Sequence, residues 1–186
     1  RRRRRKGNPK KKIPPSFDAF AADVDPAEAL AVEKVNHQFM SVVNAFAAAV
    51  EGSGASKVDS FNAALNSVVE VMKVNVTDNT TIDFSDQTDL NLIKTQILQD
   101  VTNVSNADVV ALNNMVDSTT TAILNVNGKI DLVNDIGSAS AKNIFSTAQV
   151  LTVQVKNGVA AEVTAAGTGS IDFTVLSQVD AAVANT

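Results

Sequence analysis

Apolar residues recur three and four positions apart from about residue 17 onward, the period of helices that bury one face. The first stripe, Val32, Val35, Phe39, Val42, Phe46 and Val50, follows Asp25-Pro26-Ala27-Glu28. There Asp can cap, Pro suits the first turn, and Glu can reach back to the capping amide. Gly52 and Gly54 predict its end. A second helix is predicted over 57–73, with Val58, Phe61, Leu65, Val68 and Met72 on one face. Residues 74–88, VNVTDNTTIDFSDQT, lose the period and predict a loop. A third helix carries Leu90, Ile93, Ile97 and Val101, and Ser105 with Asp108 forms a capping box for the fourth. In the fourth, Val109, Leu112, Val116, Ile123, Val126, Ile130 and Val133 hold one register across Asn127-Gly128. That dipeptide is therefore expected inside the helix, with a hairpin as the alternative.

Gly137 then Ser138 reads as a stop and a new cap. The fifth helix carries Ile144, Val150 or Leu151, and Val155, and is expected to end at Asn157-Gly158, followed by a short VAAEVTAA. After a break at Gly167-Thr168-Gly169, Ser170 is expected to open a last helix with Phe173, Leu176, Val179 and Val183 inward. Period-two alternation is weak throughout. The expected fold class is all-α, an antiparallel bundle of five or six helices.

Charge divides the chain in two. Nine of the 16 basic residues fall within the first twelve positions, and all 20 acidic residues come later. Residues 13–186 thus hold 7 basic and 20 acidic side chains, a net of −13 that should repel nucleic acid and anionic membranes. Residues 1–16, RRRRRKGNPKKKIPPS, combine like charge with three of the four prolines and are expected to be a disordered basic arm. Residues 17–186 then form a single helical-bundle domain. The arm reads as a processing remnant or, alternatively, as a binder of phosphate backbones or heparin-like polymers. It lacks interleaved aromatic residues for base stacking, so nucleic acid is not an expected partner.

Candidate chemistry is sparse. No Cys is present and His37 is the one histidine, flanked by Asn36 and Gln38, so thiolate chemistry is excluded and a hydrolase triad finds no plausible base. No phosphate-binding glycine loop occurs. Asp78, Asp83, Asp86 and Asp89 offer hard oxygens, but their spacing fails the calcium-loop template and fits helix N-terminal charge better. No cofactor, metal site or catalytic residue is expected, and no apolar run reaches the length of a transmembrane helix. An initial Arg in place of Met is read as a fragment, or a mature form without its leader. Three sequons, at Asn75, Asn79 and Asn103, cluster around predicted loops and point to a secreted glycoprotein.

The order of these features, with VVNAFAAAVEGSG closing the first helix and then SNADVVALNNMVDSTTTAILNVNGKIDLVNDIG and SAKNIFSTAQVLTVQVKNG, resembles the fungal hydrophobic surface-binding protein A family, which includes the cell-wall galactomannoproteins. The resemblance spans about residues 28–185 and rests on helix lengths and small-residue usage. It implies a secreted or cell-wall-associated, non-enzymatic bundle that adsorbs to hydrophobic surfaces or holds a fatty acid or other hydrophobic ligand between its helices, with cell-wall polysaccharide as a further partner. A core of Val and Ala leaves room for an acyl chain, or else packs solid with the helices closer together. If a tunnel exists, its lining is expected from the inward stripes: Phe39, Val42, Phe46, Phe61, Leu65, Ile97, Ile123, Phe145 and Val150. A structural or antigenic glycosylated wall protein with a solid core is the competing expectation.

Overall fold

A computed structural model describes residues 25–135 and 137–174. The basic arm and the last-helix positions Leu176, Val179 and Val183 lie outside the described residues. Within them the protein is an all-helical bundle of five helices: α1 (Pro26–Gly52), α2 (Lys57–Thr77), α3 (Gln87–Asp100), α4 (Val109–Asp131) and α5 (Ala139–Thr164), with a 3-10 turn at Val101–Asn103. No helix among these residues is long and apolar enough to cross a membrane.

Side-chain oxygens cap every one of the five starts. Asp25, Ser56, Asp86, Asp108 and Ser138 each accept a backbone N–H from the first turn. The fourth cap corrects the sequence reading, since Asp108 takes the Ala111 amide at 3.0 Å and Ser105 lies in the turn before it. As expected, α4 runs unbroken through Asn127-Gly128. In contrast, α5 does not stop at Asn157-Gly158 but continues through the Ala-rich run to Thr164, while Ser170 through Phe173 are not helical. The physical reason lies at Gly158, where a Cβ would meet the Ser170 carbonyl oxygen at 2.5 Å. That glycine is there for a close backbone approach, not for a turn.

Successive helices alternate in direction. Gln38 Nε2 on α1 reaches Asp131 Oδ1 at the far end of α4 at 2.7 Å, and the Asp108 amide donates to the Ser53 carbonyl at 2.8 Å, so α1 and α4 are antiparallel. His37 stacks on Phe145 and Gly52 abuts Lys156, so α1 and α5 run parallel. Packed against α2, α4 and α5, α1 is the central helix. Its C-terminal half is accordingly buried around most of its circumference, at Val42, Val43, Ala45, Phe46, Ala48, Ala49 and Val50.

On α2 the apolar stripe and the buried face do not coincide. Val58 is 68% exposed and Phe61 38%, whereas Ser60, Ala63, Ala64, Ser67, Val68 and Val71 face inward. Small residues win because they let α2 approach the Ala-rich half of α1 closely, and the buried hydroxyls cost little. Ser60 Oγ donates to the Ser56 carbonyl at 2.7 Å, and Ser67 Oγ lies 2.6 Å from Asp100 Oδ2.

Candidate functional site

The nine tunnel-lining candidates separate into three groups. Val42, Phe46, Ile97 and Ile123 are fully buried in the close-packed core, and Phe39, Leu65 and Phe145 pack against it while partly exposed. Phe61 and Val150 are not inward at all. Val150 is 46% exposed and its neighbour Leu151 takes the core position, because the buried face of α5 runs Ile144, Thr147, Leu151, Val155, Gly158. That face is full at every inward turn, which leaves Val150 for solvent.

Four concave features among the described residues open at the surface. On α1, His37, Met40, Ser41, Asn44, Ala47, Ala48 and Glu51 follow the three-and-four spacing of one helix face. On α5, Phe145, Ala148, Gln149, Thr152, Val153 and Lys156 do the same. The two stripes run side by side because α1 and α5 are parallel. They line two adjoining grooves of about 220 Å³ and 390 Å³ that share Asn44, Gln149 and Thr152. Phe61 and Lys57 of α2 close the wider one from the other side. From His37 to Glu51 the path rises about 21 Å, the length of an extended acyl chain of about sixteen carbons.

Its two ends differ chemically. At one end the His37 and Phe145 rings stack with centroids 3.8 Å apart. At the other, Lys156 Nζ pairs with Glu51 Oε1 at 2.8 Å beside Lys57. Between the ends no charged side chain enters either stripe, and Met40, Ala47, Ala48, Ala148 and Val153 supply an apolar lining edged by neutral amides and hydroxyls. The middle of the path is thus uncharged and largely apolar, with two lysines and one glutamate gathered at one terminus.

Two further grooves have other characters. One of about 600 Å³ between α2 and the 3-10 turn is lined by Asp59, Asn62, Asn66, Glu70, Asp100 and Asn103, an acidic, amide-rich surface hostile to acyl chains. The other, of about 570 Å³, lies between α2 and α3, where Val71, Val74 and Leu92 sit among Glu70, Asn75, Asp78 and Gln96.

Three of the four carboxylates singled out for calcium, Asp83, Asp86 and Asp89, are committed locally. Asp83 Oδ1 accepts the Ser85 amide at 2.8 Å, and Asp89 Oδ2 accepts the Asp83 amide at 2.7 Å. Asp86 caps α3, and the Asp89 amide, then Thr88, hold its carboxyl below the usual range. Among the described residues no group of three His, Cys, Asp or Glu side chains is placed to hold a metal ion.

Sequence reasoning missed the α1–α5 groove because it followed the most apolar stripe on each helix. Of its lining only Phe61 and Phe145 were among the nine candidates, and the available signal for the rest was a second stripe on each helix, free of charge between its ends and mixing small, amide and apolar residues. No family model, curated protein or solved structure matches the chain.

Proposed function

We propose that this helical bundle is a non-enzymatic, secreted or wall-associated binding module of the hydrophobic surface-binding protein A kind, and that it takes up one long acyl chain along the groove of α1 and α5. The observation that carries this reading is the pair of adjoining grooves, which share three lining residues, span about four turns of α1 and meet charged side chains, Glu51, Lys57 and Lys156, at one end only. Each methylene moved from water into such a lining contributes about 0.8 kcal/mol when fully buried, and roughly half of that in an open groove. Sixteen or so carbons then gain about 6 kcal/mol half covered and about 13 kcal/mol fully covered, so micromolar affinity requires the groove to close over most of the chain to offset the entropic cost of association.

Titrating the delipidated protein with long-chain fatty acids tests the proposal. Saturable binding of one chain per protein with a micromolar Kd is expected. Val153→Asp, at a position 58% exposed, puts a carboxylate on the rim of the groove without touching the core, and is expected to weaken binding strongly while leaving the melting temperature unchanged. Absence of saturable binding to the unaltered protein overturns the reading.

A further inference from the structure

Seven lysines follow the basic arm, and their surroundings distinguish them. Lys34 donates to the Asp131 carbonyl, Lys73 pairs with Glu70, Lys94 pairs with Asp117, and Lys129 and Lys142 line neither of the α1–α5 grooves. Lys57 and Lys156 stand apart by sharing one groove with a single carboxylate, Glu51. Lys57 is exposed and no ion pair among the described residues engages it. The groove end therefore carries two positive charges against one negative, on a body whose net charge is −13 beyond the arm. An anion meets repulsion over most of this surface and attraction here.

Resting on the acyl-binding reading above, we infer that the ligand is a free fatty carboxylate with a fixed polarity: its carboxylate lies between Lys57 and Lys156, and its methyl end points to the stacked His37 and Phe145. Glu51 is the internal competitor. Its carboxylate holds Lys156 at 2.8 Å, with the pair partly buried at 45% and 25% side-chain exposure. An incoming carboxylate bonds the free Lys57 and shares Lys156, so the pair loosens without a buried charge losing its partner. The opposite polarity brings the carboxylate beside a stacked aromatic pair, Met40 and Ala148, with no lysine in that stretch of the lining. Phe61 and Val153 flank the first methylenes past the lysines, where an acyl ester or alcohol would fit equally well but gain no charge-assisted bond.

Three arms test this polarity on the full chain, using palmitate, its alcohol and its methyl ester. Lys57→Gln is expected to weaken palmitate about tenfold and leave the alcohol and ester unchanged, and Glu51→Gln to tighten palmitate severalfold. Both positions are solvent-accessible, and circular dichroism confirms that the variants stay folded. A palmitate analogue with a photoreactive group at its methyl end is expected to label the segment around Met40 or Phe145. Equal affinity of acid, alcohol and ester, with Lys57→Gln silent, overturns the polarity while leaving acyl binding intact. Labelling beside Lys57 overturns it too. No binding of any of the three overturns both this inference and the acyl-binding reading.

Discussion

Asn127 Nδ2 donates to the main-chain carbonyl of Phe84 at 2.7 Å, joining residues 43 apart in sequence at a point with no solvent access on the Asn127 side. Phe84 belongs to the α2–α3 loop, yet it is 3% exposed and meets Phe39 of α1 edge-on with ring centroids 5.8 Å apart. The loop is thus inserted into the end of the bundle as a plug. Gln38 extends the lock, with Nε2 on Asp131 Oδ1 at 2.7 Å and on the Asn127 carbonyl at 3.2 Å.

Asn127→Ala is therefore expected to cost about 2 kcal/mol, because the Phe84 carbonyl is left buried without its donor. The loss should be local before it is global. Amide hydrogen exchange across residues 78–86 is expected to accelerate well before the melting temperature, while α4 keeps its protection. A loop as protected in the variant as in the parent protein would mean that Phe84 packing alone holds it.

Glu162 gives the bundle an acid sensitivity. It is 4% exposed, and its two oxygens accept from the Gly167 amide, from the Gly169 amide at 3.0 Å, and from Asn114 Nδ2 at 2.8 Å. The Gly167 amide first, then Gly169 and Asn114, hold its carboxyl below the ordinary 4.5. Because the folded value is depressed, the stabilisation is complete above the unfolded value and is lost as pH falls through the folded one. Thermal unfolding is expected to be flat from neutral pH down to about 5 and to weaken below 4.5. Glu162→Gln should unfold more easily at neutral pH and show a shallower acid limb. Parallel pH profiles for the two proteins would exclude Glu162 as a source of the acid limb.

Two Asn-Gly dipeptides lie within helices, and their glycines have opposite roles. At Gly128 nothing lies within 4 Å of an added Cβ, so Gly128→Ala should stabilise by about 0.5–1 kcal/mol through helix propensity and a stiffer unfolded chain. At Gly158 the added Cβ meets the Ser170 carbonyl at 2.5 Å, so Gly158→Ala should destabilise by about 1–3 kcal/mol. Chemical denaturation of the two variants checks both signs at once.

These glycines also mark how far the sequence was legible. The helical class, the caps at Asp25 and Ser138, and continuity through Asn127 were readable because they depend on neighbours a few residues away. Gly158 and the buried face of α2 were not, because both are decided by a partner distant in sequence: Ser170 in one case, the Ala-rich flank of α1 in the other. The groove was legible only in pieces. Each stripe can be read along its own helix, but the parallel pairing of α1 and α5 is a property of the topology. Glu162 looked like one acid in an Ala-rich run, and nothing local foretold that the chain returns to wrap its carboxylate.

The three sequons should differ in occupancy when the chain passes through a secretory pathway that adds N-linked glycans. Asn79 is exposed at φ 54° just past the end of α2, and Asn103 is exposed in the 3-10 turn, so a glycan on either projects into solvent. Asn75 differs. It lies within α2, its Nδ2 donates to the Val71 carbonyl at 3.2 Å, and its Oδ1 accepts from Thr80 Oγ1 at 2.6 Å. A glycan takes one of the two hydrogens of that nitrogen and crowds the turn that ends the helix. Peptide mapping by mass spectrometry is expected to find Asn79 and Asn103 occupied and Asn75 largely bare. Full occupancy at Asn75 in a protein of undiminished thermal stability would mean that the last turn of α2 opens without cost.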